Sequence, residues 1–153
     1  INLELYASYY YLNLYCFFQR DWVNMPKIAE YFKKQSDEEK EHADKIINYQ
    51  ILRGGIVVID SIPKVDVKLD DKLLDKSYLK KAFIDVLELE KKVNTSLLKI
   101  HSLDDPHLSD FLESEYLGEQ IEGNDEIARI INDLEFIGNN KFDLLSYINQ
   151  FDK

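Results

Sequence analysis

The stretch Ile28–Tyr49, IAEYFKKQSDEEKEHADKIINY, decides the fold. Taken at alternating steps of three and four it gives a seam of Ile28, Phe32, Gln35, Glu39, His42, Ile46 and Tyr49, the stripe of a helix that faces a core. Glu39 and His42 stand in the middle of that stripe. Their i, i+3 spacing puts both on one face and aims them at one point. On a surface helix such a pair is ordinarily solvated, but on a buried seam it needs a positive partner.

Outward from this stretch, the three prolines and five glycines fall mostly between or at the edges of helical segments, which predicts an all-α chain. A first helix runs from Ile1 to about Phe18. Asp21 to Met25 turn the chain, Pro26 suits the first turn of the second helix, and Gly54-Gly55 stop it after Arg53. From Gly54 to Lys76 no helical period is sustained. A third helix opens near Ser77 as its cap and runs to about Leu103, where Asp104-Asp105-Pro106 read as stop, cap and restart. The fourth extends to near Ile137 with Gly138 as its stop, and a short amphipathic piece, Phe142 to Asp152, closes the chain. A linker this long lets the third helix run parallel to the second. The expected fold is therefore a four-helix bundle of two antiparallel pairs, one long crossover and a short fifth helix.

The other seams are broken in the same way as the second. The first helix gives Glu4, Ala7, Tyr11, Leu14 and Phe18; the third gives Leu79, Phe83, Val86, Glu90, Val93, Leu97 and Ile100. The fourth gives Leu117, Gln120, Asn124, Ile127, Ile131 and Leu134. An unpaired carboxylate in a core costs about several kcal/mol, and no seam lysine or arginine is at hand to compensate. A pair of divalent cations fits the deficit. Carboxylate oxygens with an imidazole suit iron, manganese or zinc.

The bulk numbers agree with one domain spanning residues 1–153. A hydrophobic share of 45% against 31% charged is globular composition. The formal net charge of −10 repels phosphate backbones, which argues against nucleic acid and for cations. No apolar run reaches the length a membrane helix needs. The single cysteine, Cys16, favours a reducing, cytoplasmic setting, with secretion or an organelle left open. The chain begins at Ile1 inside a helical pattern, so the natural start of the first helix is expected upstream.

Four blocks carry a resemblance to a known family: Ile1-Asn2-Leu3-Glu4-Leu5-Tyr6-Ala7-Ser8, Asp37-Glu38-Glu39-Lys40-Glu41-His42-Ala43, Leu89-Glu90-Lys91-Lys92-Val93-Asn94 and Tyr116-Leu117-Gly118-Glu119-Gln120. They resemble the ferritins, specifically the catalytic heavy-chain type of animal ferritin. The resemblance implies one iron held by Glu4, Glu39 and His42, with Glu39 bridging to a second held by Glu90, and with Gln120 and Tyr11 beside them. It implies ferroxidase activity, in which dioxygen oxidises Fe(II) to Fe(III) at two ions per subunit, and storage of ferric mineral in a 24-subunit shell. The second half of the chain offers Glu119-Gln120-Ile121-Glu122 and no further Glu-x-x-His. This disfavours a di-iron oxidase of organic substrates; a non-catalytic storage subunit is the other alternative.

By the same resemblance His107, Asp110 and Glu113 match positions that line the threefold channels of the shell. Glu38, Glu41 and Asp44 match the cavity-side cluster where mineral nucleates. Phe142 to Asp152 resembles the short fifth helix, with Leu144 and Ile148 turned to a fourfold axis. The departures are a truncated first helix, a longer crossover and a shorter turn before the fourth helix.

Overall fold

The structure is a computed structural model that describes residues 1–67, 69, 76–138 and 140–151. The elements are α1 (Asn2–Phe18), α2 (Pro26–Leu52), α3 (Lys76–His101), α4 (Pro106–Leu112), a π-helical turn (Glu113–Leu117), α5 (Gly118–Phe136) and α6 (Lys141–Ile148). No strand occurs among the described residues. The later part of the expected crossover, 68 and 70–75, and the expected end of the fifth helix at Asp152 lie outside them. Among the described residues no helix is long and apolar enough to cross a membrane.

The chain divides into two compact units: Ile1–Lys68 with Asn140–Lys153, and Leu69–Asn139. In the first, the main chain closes the turn from α1 to α2 when the Met25 amide donates to the Phe18 carbonyl at 3.1 Å. Asn24 takes the left-handed backbone there, φ 49°, which asparagine tolerates better than most residues. Further along, Ser8 Oγ donates to the Ser36 carbonyl at 2.7 Å and Ser36 Oγ donates to the Ser8 carbonyl at 2.9 Å. These small side chains let α1 and α2 approach closely and fix an antiparallel register. From Ser8 and Ser36 a step of one turn toward Ile1 on α1 and one turn onward along α2 reaches Glu4 and Glu39, so the same register sets those two carboxylates opposite each other.

The seams expected for α1 and for the first part of α2 are the core of this unit: Ala7, Tyr11, Leu14, Phe18, Ile28 and Phe32 are buried. Phe32 stacks on Phe18 with centroids 5.5 Å apart and meets Tyr11 at 6.2 Å. Beyond Arg53, Gly54 adopts φ 76° and ends α2, the one glycine among those described that needs the left-handed region. The short helix α6 is capped by Asn140, whose side chain accepts from the Asp143 amide at 2.9 Å. Phe151 joins its end to α2 through Tyr31 at 5.7 Å, and Lys27 Nζ donates to the Asn149 carbonyl at 3.2 Å. Leu144 and Ile148, expected to face a symmetry axis, are already buried within one chain, while Phe142 on the other side of α6 stands 80% exposed.

In the second unit α3 runs antiparallel to the α4–α5 rod, because Lys76 Nζ donates to the Ile137 carbonyl at 2.5 Å and Lys80 pairs with Glu135 at one end, while His101 meets Glu113 at the other. Ser77 lies inside α3, one position past its start, and so does not cap it. Asp105 does cap α4: its side chain accepts from the Leu108 amide at 3.0 Å, and Pro106 takes the first helical position where no amide is needed. The fourth helix is not uniform. The π turn admits an extra residue and buries Tyr116 where the regular period gave Leu117; beyond it Gln120, Ile127 and Leu134 are buried as expected, with Ile130 in place of Ile131. Ile137 ends α5 by turning extended, φ −64° and ψ 142°, so the expected stop at Gly138 is made one residue early. Ile100, on the expected α3 seam, is 36% exposed beside the turn to α4.

Candidate metal centre

The first unit gathers Glu4, Glu39 and His42. One ligand atom from each lies within 4.8 Å of the others, the separation at which a single ion can be shared. His42 Nδ1 stands 3.5 Å from Glu39 Oε2, as the i, i+3 spacing requires. Glu4 and Glu39 are 3% and 5% exposed, which excludes solvation as the way their charge is balanced. Glu4 Oε2 is enclosed and has no hydrogen-bond partner. A buried lone pair left open among acidic neighbours is what a cation would fill. The donor set, two carboxylates and an imidazole, fits a ferrous ion as well as zinc or manganese. Tyr11, two turns from Glu4 on the same face of α1, is 1% exposed.

Burial, then the Glu39 charge and a hydrogen bond shared with Glu39, raise the Glu4 carboxyl from 4.5 to about 9, with His42 pulling weakly the other way. Without metal, Glu4 therefore keeps its proton at neutral pH. A folded-state value above the unfolded one means that the native state binds the extra proton between these limits. Its contribution to stability is fully present below about pH 4.5 and is lost as pH rises toward 9. Metal-free protein should accordingly melt at a higher temperature at pH 6 than at pH 8.5, and Glu4→Gln, neutral throughout, should flatten that slope. Thermal melts of both proteins across this range are the check; a wild-type slope of the opposite sign would contradict the assignment.

The second unit holds Glu90 and Gln120, 5% and 7% exposed. Gln120 Nε2 donates to Glu90 Oε2 at 3.0 Å, and Gln120 Oε1 is buried without a partner. Gln35, polar on the expected α2 seam, is half-buried and donates to Glu38 Oε2 at 2.6 Å. Of the expected nucleation group, Glu38 is thereby engaged, also by Lys34 at 3.6 Å, while Glu41 and Asp44 are exposed.

His107, Asp110 and Glu113 are all exposed on one side of the α4 start. The histidine that meets Glu113 is His101, at 2.6 Å, a residue the spacing argument missed. His101 lies on α3, so no periodicity within α4 could reveal it. The available signal was the short turn between His101 and Pro106, which brings the end of one helix to the beginning of the next. Cys16 is exposed and free of disulfide.

Comparison with known proteins identifies the family. The ferritin-like domain family matches residues 1–137. The middle subunit of ferritin from Aquarana catesbeiana is 46% identical over 142 residues, which covers 90% of this chain and 77% of that protein. Soma ferritin from Lymnaea stagnalis is 43% identical over 142 residues, covering 90% of this chain and 78% of its own.

Proposed function

Because the chain belongs to the ferritin family of iron-storage proteins and has that family's all-α four-helix-bundle fold with a short C-terminal helix, we propose that it is a ferroxidase as well as a storage subunit. Dioxygen takes electrons from ferrous iron held by its side chains, and the ferric product is deposited as mineral inside a shell of copies of this chain. The buried group Glu4, Glu39 and His42 is the observation that carries this reading. A storage subunit without oxidation has no use for such a set, because buried carboxylates without a cation only cost stability.

In this reading residues 1–153 work as one domain, and each subunit takes two iron ions, as substrate. Glu4, Glu39 and His42 take one, and Glu90 with Gln120 takes the other. The proton that Glu4 keeps in the metal-free state leaves when the ion arrives, and the carboxylate formed offsets the growing charge as iron goes from two-plus to three-plus. The enclosed surroundings keep bulk water from competing with dioxygen. Tyr11 borders the ion held by Glu4 from the same face of α1. Asp110 and Glu113, with His107 or the His101 that pairs with Glu113, form the inlet for ferrous iron, and Glu38, Glu41 and Asp44 receive the ferric product. A cytoplasmic setting suits the exposed Cys16 thiol.

The test is to add ferrous iron in air and follow ferric absorbance against a protein-free control. Oxidation no faster than the control would sink the ferroxidase. Native mass decides the shell: a particle of about 24 subunits is expected, by analogy with closed symmetric assemblies of one repeated interface, and a stable monomer would rule the shell out.

A further inference from the structure

Asn124 lies one turn beyond Gln120 on α5, and its side chain presents the same feature that marked Glu4 and Gln120: an enclosed oxygen, Oδ1, with no hydrogen-bond partner. The orientations of both amides are set by chemistry. Asn124 Nδ2 lies 2.7 Å from the Gln120 carbonyl, which only accepts, so the nitrogen must face it and the oxygen must face away. The Gln120 nitrogen is claimed by Glu90 Oε2 at 3.0 Å, which leaves its own oxygen open. Two enclosed amide oxygens at i, i+4 on α5 are therefore left without a donor, one of them on the residue whose nitrogen holds the buried Glu90 carboxylate.

Open acceptors cannot satisfy each other. They need a donor or a cation, and a cation that can bind oxygen alone fits carboxylate and amide ligands together. We infer that Asn124 Oδ1 is a ligand to the second iron ion, adding a neutral oxygen to those of Glu90 and Gln120. This rests on the ferroxidase reading and sharpens it. The ion held by Glu4, Glu39 and His42 meets two carboxylates and an imidazole, whereas the one at Glu90 takes two of its oxygens from neutral amides. It is held more weakly and leaves first after oxidation.

Anaerobic titration with cobalt(II), which reports its coordination by visible absorption, tests this on the assembled protein without turnover. Wild-type protein should take up two ions per subunit in a tight step and a weaker one. Asn124→Ala should leave the tight step unchanged and weaken the other about tenfold, while Asn124→Asp, which restores an oxygen and adds charge, should tighten it. An unchanged weak step in Asn124→Ala overturns the proposal. So does loss of that step in both variants, which would assign Asn124 to packing through its Nδ2. A wild-type chain that takes up only one ion overturns it too, with the first site left standing; one that takes up none sinks the ferroxidase reading itself.

Discussion

Replacing both Glu39 and His42 with alanine should lower the initial rate of aerobic ferrous oxidation by about a hundredfold or more, with helix content unchanged. Loss of a partner that only orients a metal ligand already costs about 10–100-fold in affinity or activity, and here two of the three donors themselves are removed. Glu39 is also the residue whose charge and hydrogen bond help hold the Glu4 carboxyl up at about 9, after burial. The double variant therefore loses that hydrogen bond along with the ligands, and its metal-free form should melt no higher than the wild type. Stopped-flow ferric absorbance and a thermal melt separate the two effects. Equal oxidation rates in the two proteins would remove the site from these residues.

The largest loss of stability is expected at Phe32. Its side chain is fully buried and meets Phe18 at 5.5 Å, Tyr31 at 5.4 Å and Tyr11 at 6.2 Å. Phe32→Ala removes most of a ring and leaves a cavity that two helices cannot close, at a cost of about 3–5 kcal/mol. For a chain of this length that lowers the melting temperature by on the order of 10 °C. Phe32→Leu should recover more than half of the loss because it restores most of the volume. The same truncation unseats Tyr11, so oxidation should slow as well. Denaturant unfolding of the metal-free protein measures the effect, and a cost below about 1 kcal/mol would mean that the ring cluster does not hold α1 to α2. By comparison, exposed helix pairs such as Lys81 with Asp85, at 2.7 Å, are worth about 0.3–0.5 kcal/mol each.

Helix positions were legible because their causes are local. Pro26 starts α2, Gly54 stops it, and Asp105 with Pro106 opens α4, each through a backbone requirement that the residue itself meets. The seams of α1, of the first part of α2 and of α3 as far as Leu97 were legible for a related reason: an uninterrupted period of 3.6 names the buried face, and Glu4, Glu39 and Glu90 stand on it as predicted, while Ile46 and Tyr49 farther along α2 are only half-buried. Where the period is interrupted the reading slipped. The π turn at Glu113–Leu117 has no proline or glycine to announce it, and within it Tyr116 is buried where the period gave Leu117.

The sequence by itself determined the class of fold, the family and the chemical types at the candidate site, since each is written in residue identity and spacing. Tertiary structure decided which atoms meet. The Ser8–Ser36 register brought Glu4 against Glu39, and that enclosure and proximity, not the residue type, lift the Glu4 carboxyl to about 9. Packing of α3 beside the π turn gave Glu113 the histidine His101, and packing of α3 beside α5 tied the Gln120 nitrogen to Glu90. Partners far apart in the chain leave no periodic trace in it. Only the folded chain, by enclosing Glu4 Oε2, Gln120 Oε1 and Asn124 Oδ1 without a hydrogen-bond donor, singles out among the described residues the three carboxyl and amide oxygens left for a cation to satisfy.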